Sequence, residues 1–92
     1  MSKYFLFIVS FVFIQQFAAA QTAKDYFLSG NQKDKAGDHA GAIEEYTKSI
    51  ALDSTRAQSY NNRGISKNDL GDLQGALQDY NRAIELNPKT AD

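Results

Sequence analysis

The chain repeats itself at a fixed step of 34 residues, and that constrains its fold more than any other feature. Displaced by this step, Ala23 falls on Ala57, Tyr26 on Tyr60, Gly30 on Gly64 and Lys33 on Lys67. Gly37-Asp38 falls on Gly71-Asp72, and Gly41-Ala42 on Gly75-Ala76. Tyr46 falls on Tyr80, Ile50 on Ile84 and Leu52 on Leu86, which makes eleven identities in 34 positions with no gap. Ile43 over Leu77, Glu45 over Asp79 and Lys48 over Arg82 keep the chemistry without the identity. A period of this length marks one supersecondary unit built twice and stacked side by side. Whatever one unit folds into, the other must fold into as well.

One unit can be read directly. Residues 57–70 hold no proline and place Tyr60, Ile65 and Leu70 among polar residues, which predicts a first helix, A. Gly71-Asp72 is a stop and a restart: glycine takes the left-handed conformation that closes a helix, and aspartate caps the next one. Over residues 73–86, Leu73, Ala76, Leu77, Tyr80, Ala83 and Ile84 fall on one apolar stripe, which predicts helix B. Asn87-Pro88 ends it, because the residue before proline disfavours the α region. Residues 23–54 follow the same plan, with Gly37-Asp38 as the turn and Ile43, Tyr46, Ile50 and Leu52 on helix B. Gly64 inside a helix costs about 1 kcal/mol against alanine. Close approach of two helices would offset that, with Gly64 expected to face Ala76 and Gly30 to face Ala42.

A 34-residue helix–turn–helix unit carrying Tyr, Gly, Gly-Asp, Ala, Tyr, Ala-Ile and Pro at these places resembles the tetratricopeptide repeat. Unit two matches through Tyr60, Gly64, Ala76, Tyr80, Ala83 and Pro88, and departs at Arg63 and Lys67. Unit one matches through Tyr26, Gly30, Ala42 and Tyr46, and departs at Ser29, Lys33, Ser49 and Ser54. The resemblance implies an all-α fold: two helix-turn-helix hairpins, repeat one at 23–56 and repeat two at 57–90, forming a short right-handed α-solenoid within a domain over 21–92. It also implies a concave groove, lined by the A helices, that holds a peptide or a partner protein. The residues expected to face it are Lys24, Phe27, Asn31 and Asp34, then Gln58, Asn61, Ile65 and Asn68. Asparagine suits such a groove because one side chain both donates and accepts. Phe27 and Ile65 have two readings, contact with a partner or packing against the neighbouring repeat. Some members of the family clamp a C-terminal carboxylate with lysine, asparagine and arginine. Asn31 and Asn62 match two of those posts, but the lysine post is Phe27 and a third repeat is missing, so carboxylate capture is not expected.

Residues 1–20 read differently. Lys3 is their one charged residue, Tyr4 to Ile14 is an apolar run broken by Ser10, and Ala18-Ala19-Ala20 follows. A positive start, a short apolar core and small residues at a cleavage site form the layout of a secretory signal. Cleavage is expected after Ala20, which sends the chain to the periplasm or out of the cell. The alternative is an uncleaved anchor, although the run is shorter than the roughly 20 residues that span a bilayer.

The remaining composition narrows the function. Net charge is −1, so no basic field points to nucleic acid. There is no cysteine, hence no disulfide framework and no thiolate metal site. His39, the single histidine, stands beside the first Gly-Asp turn and reads as a solvated helix-start residue. No nucleophile elbow and no phosphate loop occur. Neither a catalytic residue nor a cofactor or metal ligand is therefore expected. Glu44-Glu45 and Lys48 give helix-spaced charge pairs of the kind found on solvated faces.

Two repeats leave a problem of cover. Leu77, Tyr80 and Ile84 on the last helix would face outward with nothing over them. Dimerisation through that face, a partner protein, or a longer parent of which this chain is a truncated copy would each resolve it. The sequence thus predicts an exported, non-enzymatic protein-interaction module, with a membrane-anchored scaffold or a fragment of a longer repeat protein as alternatives.

Overall fold

A computed structural model describes residues 22–91. The expected signal segment, 1–20, lies outside the described residues. Four α-helices follow in order: α1 over 22–35, α2 at His39–Leu52, α3 at Ala57–Asp69 and α4 at Leu73–Leu86. A short 3-10 turn at Pro88–Ala91 follows α4. Among the described residues there is no strand. Helices α1 and α2 form the first hairpin, α3 and α4 the second, and α3 packs on both α2 and α4. This is an all-α stack of tetratricopeptide-type hairpins.

Both hairpin turns are built alike. Gly37 and Gly71 adopt φ of +84° and +87°, a region that side chains with a Cβ rarely enter. In the first turn the Asp38 N–H donates to the Lys33 carbonyl at 2.8 Å and the Gly37 N–H to Asp34 at 2.9 Å. In the second, Asp72 donates to Lys67 at 2.9 Å and Gly71 to Asn68 at 3.0 Å. This pair of bonds is the Schellman closure of a helix C-terminus. The next residue then opens the following helix. The Asp38 carboxylate accepts from the Gly41 N–H at 2.9 Å, and Asp72 from Gly75 at 3.0 Å. Carbonyls at the end of one helix and an N–H at the start of the next are thus satisfied through a single Gly-Asp pair.

The core is built from small residues and one ring. Ala23, Ala42, Ala76 and Ala83 are buried, and Tyr46 is 1% exposed. Small side chains let the helices approach, and the tyrosines fill what remains. A Cβ at Gly30 would stand 2.5 Å from Tyr46 Cε1, and one at Gly64 2.8 Å from Tyr80 Cε1. Ala42 is the expected partner of Gly30; the atoms nearest its Cβ position belong to Tyr46, so the ring of helix B lies across the glycine of helix A. At Gly64 both contacts occur, since the Ala76 carbonyl lies 3.2 Å from the same point.

Candidate functional site

The junction between the two repeats is polar, and it consumes several residues expected in the groove. Asn31 Oδ1 accepts from the Tyr46 hydroxyl at 2.7 Å and from Asn62 Nδ2 at 3.0 Å. Asp34 Oδ2 accepts from Ser66 at 2.7 Å, and Asp34 Oδ1 lies 2.9 Å from His39 Nδ1. Burial first, then the nearby Asp34 charge, push the Tyr46 hydroxyl up to about 12, so it remains a donor. Deeper in the junction, Ser49 donates to the Ala23 carbonyl at 2.7 Å and pairs with Ser59 at 3.1 Å. The departure from the family pattern at Ser49 is thus matched by Ser59 on the facing helix.

The expected groove residues divide accordingly. Lys24, Gln58, Asn61, Ile65 and Asn68 are exposed, whereas Phe27, Asn31 and Asp34 are half-buried. The Phe27 ring lies 6.0 Å from the Tyr46 ring and under the Arg56 guanidinium at 5.5 Å. Phe27 therefore packs internally, while Ile65 keeps 42% of its surface open.

Departures at Arg63 and Lys67 have one explanation. Asp79 of α4 is 4% exposed. It accepts from Arg63 Nε at 2.8 Å and Nη2 at 2.7 Å, and lies 3.0 Å from Lys67 Nζ. A buried carboxylate requires such partners. Burial alone would push its carboxyl up, but the hydrogen bonds from Arg63 and Lys67 outweigh that and hold it below the ordinary range. Sequence reasoning registered the two departures without finding their partner. The signal was there: Glu45 over Asp79 marks an acid at the matching place of each helix B.

His39 opens α2, as expected, but it is not free in solvent. It is half-buried, with Nδ1 3.7 Å from Asp69 on α3 as well as within reach of Asp34. Among the described residues no three His, Asp or Glu side chains converge on a point that could hold a metal ion.

The second surface is the outer stripe of α4. Leu73 is 65% exposed, Leu77 56% and Ile84 41%. In repeat one, Ile43 and Ile50 at the places of Leu77 and Ile84 are half-buried, because α3 lies over α2. Tyr80 shares the stripe, yet its ring is half-buried against Gly64. No helix among the described residues is long and apolar enough to cross a membrane.

Stacked helical hairpins with Schellman–aspartate turns define the class as a helical repeat protein. Residues 57–90 match the tetratricopeptide repeat family model, so the second hairpin is similar to a tetratricopeptide repeat. Over 41 residues it is 44% identical to the tetratricopeptide repeat protein 36 homolog of Nematostella vectensis. That match takes in 45% of this chain and 23% of the relative. Two crystal structures of MamA superpose with TM-scores of 0.69 and 0.67, each 29% identical over 75% of this chain. The chain spans 40% and 38% of those two proteins, well short of their full length.

Proposed function

We propose that this chain is a non-catalytic protein-interaction module whose principal binding surface is the outer face of α4. The observation that carries this reading is the contrast between two equivalent faces. On α2 the stripe is covered by α3; on α4 the same stripe presents Leu73, Leu77 and Ile84 to solvent. Contiguous apolar surface of this kind marks an interaction site. The covering element in repeat one is a helix, so the occupant on α4 is an amphipathic helix of a partner protein. Its chemistry follows from one change. Ala83 stands where Ser49 stands in α2 and carries no hydroxyl, so the occupant needs no serine at the place of Ser59. A second copy stacked head to tail would bring Asp25, the counterpart of Ser59, onto the apolar face of α4. That would bury a carboxylate without a partner, which favours a different chain as the occupant.

The A-helix groove is the second surface. Exposed Ile65 beside exposed Asn61 and Asn68 supports a peptide site there, flanked by Lys24 and Gln58. The layout of residues 1–20 supports export with cleavage after Ala20. N-terminal sequencing of the mature chain is expected to begin at Gln21; a chain retaining Met1 would support the membrane-anchored alternative.

The test of the principal surface uses the full chain and a synthetic helix with the sequence of residues 57–69 and alanine in place of Ser59. Saturable binding is expected, weakened at least tenfold by Leu77→Glu and unchanged by Ile65→Glu. Binding lost with Ile65→Glu but kept with Leu77→Glu would move the site to the groove. A dimer by sedimentation that Leu77→Glu dissociates would instead assign Leu77, Tyr80 and Ile84 to self-association.

A further inference from the structure

We propose that His39 is a proton-controlled latch between the two repeats. The imidazole sits at the start of α2 and reaches two helices at once. Its Nδ1 lies 2.9 Å from Asp34 Oδ1 on α1 and 3.7 Å from Asp69 Oδ2 at the end of α3. Asp34 carries the link onward, accepting from Ser66 of α3 at 2.7 Å and, more weakly, from the Tyr46 hydroxyl at 3.4 Å. One ring therefore joins the first hairpin to the C-terminal end of the second hairpin's A helix.

The charged groups around the ring all favour its cationic form. Asp34 faces it from α1, Asp69 from α3 and Asp38 from the turn. Of the nearby cations, Lys33 lies 3.9 Å from Asp38 and Lys67 is committed to Asp79. A neutral ring keeps one N–H for Asp34, but loses its attraction for Asp69. Deprotonation therefore loosens the junction without dissolving it, and leaves two carboxylates uncompensated at the turn-side end of the A helices. The hydrogen bond to Asp34, followed by the Asp69 charge, raises the imidazole above its ordinary value. With the folded value raised, the stabilisation is complete below the unfolded value of about 6.5. It is lost as pH rises through the folded value.

The chain has a single histidine, so the imidazole C–H resonances of the full-length protein report on His39 alone. The expected titration midpoint lies above 6.5 and falls when Asp69 is changed by Asp69→Asn. Asp69 is exposed at the end of its helix, so that variant should fold. Thermal unfolding supplies the second readout: the extra stability at pH 6 relative to pH 8 should shrink in His39→Gln. A midpoint at or below 6.5, a midpoint that Asp69→Asn leaves in place, or a pH response that His39→Gln retains would each overturn the latch.

Discussion

Arg63 and Asp79 form a two-pronged ion pair across the second hairpin, with Nε 2.8 Å from Oδ2 and Nη2 2.7 Å from Oδ1. The guanidinium also reaches Thr47 Oγ1 of α2 at 3.2 Å, so the pair touches both repeats. Removing one partner of a buried pair leaves the other charge stranded. Asp79→Ala should therefore cost about 3 kcal/mol in urea unfolding of the full chain. Replacing Arg63, Lys67 and Asp79 together by apolar residues should cost far less, because no charge is then left behind.

Acid should reach the same carboxylate. The folded value of Asp79 lies below its unfolded one, burial being outweighed by Arg63 and Lys67. Its contribution is present above about pH 4 and fades as pH falls through the folded value. The stability gap between the native chain and Asp79→Asn should be level from pH 5 to 7 and close below pH 4. Denaturant titrations at each pH measure it.

Ser49→Ala tests the buried hydroxyl seam. It removes the donor to the Ala23 carbonyl and leaves Ser59 without its partner. A loss of about 1–3 kcal/mol is expected, the range for an unsatisfied buried polar group. Adding Ser59→Ala should recover part of it, since that hydroxyl is then gone.

The two helix-A glycines should respond unequally to alanine. At Gly30 the new Cβ meets the Tyr46 ring, which is enclosed by the second repeat. At Gly64 it meets Tyr80, whose ring is only half-buried. Gly30→Ala should cost about 1–3 kcal/mol from overpacking. Gly64→Ala should cost less, because Tyr80 has solvent to swing into. Equal losses by chemical denaturation would mean that the Ala76 carbonyl, not the ring, sets the limit.

Local features were the most legible in the sequence. Gly37-Asp38 and Gly71-Asp72 named both turns, because closure and capping need those residue types at those places. The 34-residue step gave the hairpin order and the apolar stripe of α4. Features that depend on how helices cross were hidden. Gly30 meets the Tyr46 ring, a contact that depends on how α1 crosses α2 and not on either residue's place in the repeat. Asp34 and Asn31 sit on the expected helix face, yet their side chains turn to Ser66, Asn62 and Tyr46. His39 acquires its role only because α3 brings Asp69 beside α2. Arg63 and Asp79 stand 16 residues apart, and only the folded hairpin makes them neighbours.

Chemical-shift mapping of the full chain, as the 57–69 helix with alanine in place of Ser59 is added, tests the assignment of α4 most directly. Saturating shifts are expected at Leu73, Leu77 and Ile84, with Lys24, Gln58, Asn61 and Asn68 unmoved. Shifts confined to those four polar residues and Ile65, with the α4 stripe silent, would contradict it.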